Sequence, residues 1–392
     1  MSTRSVGERI AYYRSVARPR MTQQHLADAA CVALGTIRKI ERGERGVSTD
    51  TLEAIADALG IEPARLLADR TTTQSRVHAA LPALSAAIAA YDLPDDGPVR
   101  PLRMVRASVE EAEAWRLAAQ YARIARTLPD LLPEALRGFH SAAGAERREW
   151  AGLLVRAARS ADAAAYKVGA RDLSARLIEF MRWAGPEAGD PLLEATTAYV
   201  RTETFFAARA HRPGLRALEV ALDATPPPTT GAASAARGAL HMRAAVIAGR
   251  AGDSSAADVH LTEARTLGDK VREDIYCGTA FGPDSVRVHE VSVAVSLGNE
   301  HAGRALDVAR QWKPPTDLPA ERRSGFYIEM GRAQLWAGRA DAAFEALKVA
   351  RRIAPQHTRE HPWVRQDAAT LRRLKRADAE DLSNFAEWCS AT

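Results

Sequence analysis

The sequence has few cysteines and no long apolar run. Only three of its 392 residues are cysteine, Cys31, Cys277 and Cys389, and none forms a CxxC pair. This scarcity excludes a disulfide framework or a cysteine-rich zinc site and is typical of a reducing cytosol. No run of about 18 apolar residues exists, so no membrane span is expected. The charged start MSTRSVGERIAYYR does not resemble a signal peptide, and we expect a cytoplasmic protein.

Familiar catalytic motifs are also missing. The sequence contains no HExxH, P-loop, GxGxxG or GxSxG pattern. His289 and Glu290 form a lone pair without further metal ligands. His357 and His361 have i, i+4 spacing, but a proline on either side of the pair predicts a loop. We therefore expect no enzymatic activity, no cofactor and no metal; an enzyme with an unrecognised helical site is the alternative.

The positive charge is concentrated at one end of the chain. Apolar residues make up 46% of the sequence, which excludes a mostly disordered chain, and the length predicts two or three domains. The first 45 residues hold nine basic and four acidic side chains, while the other 347 hold 45 of each. A basic end on a neutral body is typical of a polyanion-binding module joined to another domain. A solvated basic tail is the alternative.

Residues 5–68 read as five short helices. Thr22 and either Ser48 or Thr49 are suitable N-caps, and Gly43 and Gly60 stand where helices should end. No alternation typical of a strand is present. Apolar residues recur at helical spacing: Val6, Ile10, Leu26, Ala27, Ala30, Ile37, Ile40, Leu52, Ile55, Ala56, Leu59, Leu66 and Leu67.

Within this region the stretch TQQHLADAACVALGTIRKIERGERG resembles the helix-turn-helix of the phage-repressor (XRE) family, and the resemblance covers residues 5–68. Two positions depart from the family pattern. Cys31 occupies the turn position usually filled by glycine and must either adopt a positive φ or shift the turn, at a cost of about 1 kcal/mol. Ala33 replaces the usual Ser or Thr cap. The matching features are Thr22-Gln23, Leu26-Ala27, the four-residue turn, Ile37, Ile40 and Glu41-Arg42-Gly43.

The resemblance implies that the third helix enters the major groove of DNA. With Ile37 and Ile40 facing inward, Arg38 or Lys39 would donate to guanine, and Leu34 would touch a thymine methyl. Residues at the start of the second helix and after the third would hold phosphates. Solvated side chains without a DNA role are the alternative. The expected DNA-contacting residues are Gln23, Gln24, Ala33, Leu34, Gly35, Thr36, Arg38, Lys39, Arg42 and Arg45.

Residues 71–107 read as a part-helical linker, and residues 108–392 as a helical repeat domain. Four segments of the latter fit the pattern of a tetratricopeptide (TPR) motif, with Ala221, Ala264, Ala309 and Ala350 at one position. Their spacings of 43, 45 and 41 exceed the 34 of a strict array. We therefore expect a TPR-like solenoid with longer connections and two more hairpins in residues 108–190. A non-repetitive helical bundle is the alternative.

The resemblance to TPR proteins implies a concave face formed by the first helix of each hairpin. Aromatic, cationic and acidic residues there suit a peptide or a small polar-apolar ligand; ordinary packing between hairpins is the alternative. For the segment 277–290 a loop and helix start is preferred over a ligand contact. The expected lining residues are Tyr199, Glu203, Phe206, Met242, Arg250, Asp284, Arg287, Val291, Arg332, Leu335 and Trp336.

The sequence thus predicts an all-α protein: a five-helix DNA-binding domain over residues 1–70, the linker, and a TPR-like solenoid. This arrangement resembles regulators that pair an XRE domain with a TPR-like sensor, including the peptide-responsive (RRNPP-type) quorum-sensing regulators and multidomain regulators of actinobacteria. The resemblance implies a homodimer whose affinity for a double-stranded DNA operator responds to a peptide, small-molecule or protein effector. A TPR-type scaffold or antitoxin-like protein with a DNA-binding head is the alternative.

Overall fold

The computed structural model describes residues 6–17, 21–61, 63, 66, 73–374, 379–389 and 391. Over these residues the chain forms 20 α-helices, one 3₁₀ turn and a single two-stranded hairpin. The chain divides into two compact units, Met1–Arg76 and Val77–Thr392. None of the described helices is both long enough and apolar enough to cross a bilayer.

The first unit contains four described helices: α1 (Val6–Val16), α2 (Gln23–Ala29), α3 (Leu34–Glu41) and α4 (Thr49–Ala58). The expected fifth helix falls on residues 62–72, which lie outside the described residues apart from Pro63 and Leu66. The expected core is confirmed where it is described, since these side chains are buried: Ile10, Leu26, Ala27, Ala30, Ile37, Ile40, Leu52, Ile55, Ala56 and Leu66.

The helix ends of the first unit follow from their capping residues. The Thr22 side chain accepts a hydrogen bond from the His25 backbone N–H at 3.1 Å and caps α2. Ser48, rather than Thr49, caps α4 through the Thr51 N–H at 3.4 Å. Gly43 ends α3 with φ +72°, which glycine adopts without steric cost.

The second unit is a succession of helix hairpins. After α5 (Thr73–Ala89), six hairpins follow in chain order, and within each the two helices pack against each other. Two of these lie in residues 102–188, in agreement with the two expected over 108–190. The hairpins are α6 (Leu102–Leu117) with α7 (Tyr121–Ser141), α8 (Gly144–Lys167) with α9 (Arg171–Ala188), α10 (Pro191–Ala207) with α11 (His211–Ala224), α12 (Gly231–Arg250) with α13 (Ser254–Gly268), α14 (Pro283–Leu297) with α15 (Ala302–Gln311), and α16 (Ala320–Trp336) with α17 (Ala340–Ile353).

One turn geometry recurs between the paired helices. Five of the six turns contain a left-handed residue with φ between 53° and 83°, and the next N–H donates to the carbonyl five residues earlier. This bonding is the Schellman motif that ends a helix. The fifth hairpin differs, since Gly298 has φ +115° and a 3₁₀ turn (Asn299–His301) follows. The left-handed residues of the five regular turns are Ala119, Gly169, Arg209, Gly252 and Gly338.

The predicted motif residues meet within the last hairpin. A Cβ on Gly331 would lie 3.1 Å from Leu347 Cδ2 and 3.3 Å from the Ala343 carbonyl oxygen, so α16 and α17 approach closely where the motif places small residues. Leu347 and Ala350 are fully buried. This packing, together with the recurring turn, makes the second unit a TPR-like α-solenoid, as expected.

The predicted linker differs from the structure. Val77, Leu84 and Ile88 on α5 are buried in the main core of the second unit, and the Tyr91 ring contacts Trp183 with 4.6 Å between ring centroids. Residues 77–107 therefore belong to the second unit, with α6 beginning at Leu102 rather than at 108. The reason is the apolar face of α5, whose buried residues join the same core as buried residues of α7 and α9.

A short β-hairpin is the one departure from an all-helical chain among the described residues. Strands β1 (Asp274–Tyr276) and β2 (Thr279–Phe281) pair antiparallel, with Ile275 opposite Ala280. Cys277 and Gly278 form its turn with φ of 46° and 72°, the two positive values that a tight hairpin turn requires. The sequence predicted a loop here, because three-residue strands show no periodicity. Three short helices complete the chain: α18 (Pro355–Glu360), α19 (Pro362–Leu374) and α20 (Ala379–Trp388).

Candidate functional site

A cavity of about 250 Å³ lies inside the second unit. The first helix of every hairpin contributes to its wall, and the tip of the β-hairpin, α18 and His361 complete it. The cavity therefore occupies the side of the solenoid on which the TPR resemblance places a concave binding face. Its ionisable lining residues are Arg116, Arg159, Lys167, Arg243, Arg250, Arg322, Asp162, Glu203, Glu321 and Glu329, with Tyr166, Tyr199, His289, His357 and His361.

Two buried arginines tie the β-hairpin to the cavity wall. Arg159 donates to the Cys277 carbonyl oxygen and to Thr279 Oγ1, each at 2.7 Å. Arg116 donates to the Gly278 carbonyl oxygen at 2.6 Å. Burial and the neighbouring Arg116 cation lower the pKa of Arg159 to about 9, so the side chain remains charged at neutral pH.

Two further arginines contact Tyr199, and a third lies over Phe206. Arg322 donates to the Tyr199 hydroxyl at 2.9 Å and to His289 Nε2 at 3.1 Å. The Arg243 guanidinium lies 4.3 Å from the centroid of the Tyr199 ring, and that of Arg250 lies 4.2 Å from the centroid of the Phe206 ring. Although burial opposes it, the cations of Arg243 and Arg322 lower the pKa of Tyr199.

The carboxyl groups balance only part of this positive charge. Glu321 forms an ion pair with Lys167 at 2.9 Å. Although burial opposes it, the Lys167 cation lowers the pKa of the Glu321 carboxyl. Burial raises the pKa of Asp162 and of its neighbour Glu203, and Ser174 donates to Asp162 at 2.6 Å. Burial also raises the pKa of Glu329 to about 7.

The histidines of the cavity add no charge at neutral pH. Burial lowers the pKa of His357 to about 3 and holds those of His289 and His361 well below the usual value. His289 donates from Nδ1 to the Ser285 carbonyl oxygen at 2.8 Å, which leaves Nε2 free to accept from Arg322. The wall is therefore predominantly cationic.

In the first unit, α2 and α3 are joined by a tight turn that presents one face of α3. Cys31 has φ 53°, and Ala33 precedes α3 without a side-chain cap, so both predicted departures are confirmed. Ile37 and Ile40 are buried, whereas Gly35, Arg38 and Lys39 are exposed. A Cβ on Gly7 would lie 2.0 Å from the Ile40 carbonyl oxygen, so α1 packs directly against α3.

Glu41 connects the three N-terminal helices. It accepts from Arg14 Nε at 2.7 Å and from the Gln23 amide at 2.6 Å. Gln23, expected to hold a phosphate, thus has a partner inside the unit, a contact that sequence spacing does not reveal. Gln24 is exposed and donates to Asp28 at 2.8 Å.

The other expected DNA-contacting residues lie at the surface of the same region. Arg42 pairs with Glu44 at 3.0 Å, and both side chains are more than half exposed. Arg45 and Ala33 are exposed, and Leu34 and Thr36 are partly exposed. The expected DNA-contacting residues on and after α3 are therefore all at least partly accessible to solvent.

Residues 20–66 match the protein-family model described as Helix-turn-helix. These residues form a helix-turn-helix domain. The resemblance seen in the sequence is thereby confirmed for this part of the chain. Such a domain is the DNA-reading module of transcriptional regulators, and it makes the chain a DNA-binding regulator, a class that is normally not enzymatic.

Other comparisons add little to this assignment. A search of curated proteins finds no significant match. Among solved structures, one that is similar is the crystal structure of Bacillus thuringiensis PlcR in complex with the peptide PapR7 and DNA. The two chains share 12% sequence identity and a TM-score of 0.31, over 68% of this chain and 95% of PlcR.

Beyond the helix-turn-helix domain, four of the expected lining residues meet in the cavity: Tyr199, Glu203, Phe206 and Arg250. On α12, Met242 is instead fully buried in the core. On α14, Val291 is also in the core, while Asp284 accepts from Trp312 Nε1 at 3.1 Å outside the cavity. Arg287 is exposed, with its guanidinium 6.0 Å from the centroid of the Trp312 ring.

The expectation for α16 was also wrong. Arg332 pairs with Asp367 at 3.3 Å and lies over Trp363, while Trp336 is 38% exposed. Leu335 packs against the C-terminal core, and none of these residues lines the cavity. The motif fixes which helix faces the cavity. Because these repeats are longer than 34 residues, it does not fix which turn of the helix lies there.

Sequence reasoning missed most of the cationic wall. A signal was present, because Arg159, Asp162 and Tyr166 recur at i, i+3 and i+7 within the otherwise buried, alanine-rich α8. Arg322 and Glu329 lie seven residues apart on α16, as do Arg243 and Arg250 on α12. Polar stripes of this kind inside long apolar helices mark side chains that face an internal space.

Proposed function

We propose that this chain regulates transcription in the cytoplasm by binding a double-stranded DNA operator as a homodimer, and that an effector in the cavity sets its affinity for DNA. The observation that carries the DNA-binding part is the exposed face of α3. Arg38 and Lys39 are exposed there while Ile37 and Ile40 anchor the helix in the core. A helix held in this way can enter the major groove.

The proposed DNA-contacting residues divide into those that contact bases and those that contact phosphates. Arg38 and Lys39 donate to base edges, and Leu34 offers an apolar contact to thymine. Gly35 allows close approach, since a Cβ there would touch nothing within 4 Å. Residues at the start of α2 and after α3 hold the phosphate backbone. The phosphate contacts come from Gln23, Gln24, Arg42 and Arg45, and Ala33 and Thr36 complete the proposed set of DNA-contacting residues.

Dimerisation follows from the small footprint of one helix-turn-helix domain. A single recognition helix reads only a few base pairs, and specific regulators pair two half-sites about 34 Å apart. Two copies also double the surplus of five positive charges carried by residues 1–45. A mass for the full chain corresponding to a monomer, both free and on DNA, would exclude this part of the proposal.

The cavity supports the effector part. It lies within the solenoid with an open side at Arg250, combines aromatic with charged walls, and contains buried polar atoms without protein partners, among them Arg116 Nε, Arg243 Nε and Glu203 Oε2. Polar groups that converge on a cavity beside aromatic side chains are typical of a ligand site. A peptide, a small molecule or a protein segment are the effector classes that the sequence resemblance implies.

The test begins by selecting genomic fragments that the full chain binds. On the selected operator, Arg38→Ala should lower affinity by about 1–3 kcal/mol, with a much smaller loss on random DNA, because base contacts specify sequence. Arg42→Ala should weaken both complexes similarly, because phosphate contacts carry no sequence information. Fluorescence anisotropy with labelled duplexes measures both effects.

Arg216→Ala is the matched control, since Arg216 is exposed on α11 in the second unit. It should leave both affinities unchanged. An equal loss on operator and random DNA for Arg38→Ala would show that Arg38 only holds phosphate. Binding of the full chain to all duplexes with equal affinity would instead favour the interaction scaffold.

A further inference from the structure

We infer that the cavity binds a small organic anion, whose carboxylate or phosphate is held by Arg243 and Arg322 and whose flat body lies against Tyr199 and Phe206. This inference rests on the proposed function for its regulatory meaning only. The binding itself follows from the charges, contacts and size of the cavity.

The first observation is an excess of cations. Six basic side chains line the cavity against four carboxyl groups. Of the four, Glu321 is paired with Lys167, and Asp162 and Glu203 lie next to each other. Burial favours the neutral form of those two neighbours and of Glu329. The negative charge available inside the cavity is therefore smaller than the count of carboxyl groups.

The second observation is that, among the described residues, no arginine of the cavity donates a hydrogen bond to a carboxylate, and the one ion pair, between Arg243 and Glu203, is long. Among the described residues, Arg322 donates to a hydroxyl and an imidazole, and Arg159 donates to a carbonyl and a hydroxyl. Arg243 approaches Glu203 only to 3.8 Å, and its Nε is buried without a hydrogen-bond partner. A buried cation is costly unless it is paired and hydrogen-bonded, so the arrangement lacks a counter-charge.

An anion would supply that missing charge. The guanidinium group presents parallel N–H donors that match a carboxylate or a phosphate bidentately. Arg243 lies over the Tyr199 ring while Arg322 donates to the hydroxyl of the same tyrosine. Both cations are therefore held next to the same aromatic side chain, one over its face and one at its hydroxyl. An anionic group placed between them would give both cations an anionic partner at hydrogen-bond distance, which neither has among the described residues.

The third observation is size. A volume of about 250 Å³ falls just below the range of about 300–1,000 Å³ typical of small-molecule sites. Tyr166, Tyr199 and Phe206 give the cavity flat apolar walls. The occupant is therefore a small molecule with one flat face rather than a peptide chain.

Isothermal titration of the full chain with three probes tests this inference. The probes are phenylacetate, phenyl phosphate and the neutral phenylacetamide, which share one ring and differ in charge. At least one anion should bind at least tenfold more tightly than the amide. A preference for phenyl phosphate identifies a phosphate ligand, and a preference for phenylacetate identifies a carboxylate ligand. Equal binding of all three probes, or none, overturns the inference.

Variants locate the binding. Arg243→Met and Arg322→Met should each weaken binding of the preferred anion at least tenfold. Arg287→Met, on the exposed surface of α14, should leave it unchanged. Melting temperatures of the free variants separate lost binding from misfolding, because Arg322→Met also leaves the buried Tyr199 hydroxyl and His289 without a hydrogen-bond donor. If either cavity variant is poorly folded, Arg250→Met at the exposed rim replaces it. Full binding by a folded cavity variant overturns the inference.

Operator affinity measured with and without the preferred anion separates the two proposals. A change in affinity supports both of them. Anion binding that leaves operator affinity unchanged supports the anion site and contradicts the effector role. An operator affinity that responds to a peptide while no anion binds contradicts the anion site alone.

Discussion

Burial determines the charge state of individual residues in the cavity. Glu329 accepts a hydrogen bond from Ser292 at 2.6 Å, yet loss of solvation raises the pKa of its carboxyl to about 7. His357 shows the opposite effect, since burial lowers its pKa to about 3. Both shifts disfavour the charged form, as expected for groups removed from water.

Glu329→Gln should therefore change stability in a pH-dependent way. The folded pKa of about 7 exceeds the unfolded value of 4.5, so the folded state holds the proton more tightly. The tighter binding of this proton stabilises the folded state fully below pH 4.5, and the contribution is lost as pH rises through 7. Glutamine stays neutral. The free energy of unfolding of the variant should equal that of the parent at pH 4.5. At pH 8 it should exceed that of the parent by on the order of 1–3 kcal/mol.

Urea denaturation at the two pH values measures this difference. Glu300→Gln is the control, because Glu300 is exposed within the 3₁₀ turn, and it should show no such divergence. A Glu329→Gln difference of the same size at both pH values would mean that the carboxyl is not protonated on folding.

Single residues also mark what a sequence can reveal. The positive φ of Cys31 and the uncapped start of α3 at Ala33 were predictable, because both depend on local backbone geometry. The raised pKa of Glu329 was not, because it depends on helices distant in sequence that exclude water. The Gln23–Glu41 contact was also missed, because it joins two helices across 18 positions of sequence.

At the scale of elements, the helix hairpins were predictable and the β-hairpin was not. Small residues at motif positions, such as Gly331 and Gly338, reveal where helices pack and turn. The β-hairpin has three residues per strand and depends on Arg116 and Arg159, which are 162 and 118 positions from their carbonyl partners. No local pattern encodes such contacts.

The attachment of the β-hairpin can be tested at Gly238 on α12. A Cβ at this position would lie 1.9 Å from Phe281 Cζ on β2, so Gly238→Ala forces the strand or the helix to move. We expect a loss of about 1–3 kcal/mol, the usual effect of overpacking. Thermal unfolding followed by circular dichroism gives the change.

Gly152→Ala on α8 is the matched control, because a Cβ there would meet nothing within 4 Å. Alanine has the higher helix propensity, so this variant should be unchanged or more stable by up to about 1 kcal/mol. Equal destabilisation by the two substitutions would contradict close packing of the β-hairpin against α12.

At the scale of the whole molecule, the excess positive charge lies in one of the two compact units. The surplus of five positive charges lies within residues 1–45, inside the first compact unit. The remaining sequence is neutral overall and contains the cavity. The boundary predicted near residue 70 is close to the observed division at 76 and 77. The linker prediction failed because the apolar face of α5 is satisfied only by packing against distant helices.

The salt dependence of DNA binding tests the division of roles most directly. For the full chain on its selected operator, log K should fall linearly with log salt, by about 0.9 for each phosphate contact. A chain of residues 77–392 should show no salt-dependent binding to the same duplex. Salt-dependent binding that survives in residues 77–392 would contradict the account.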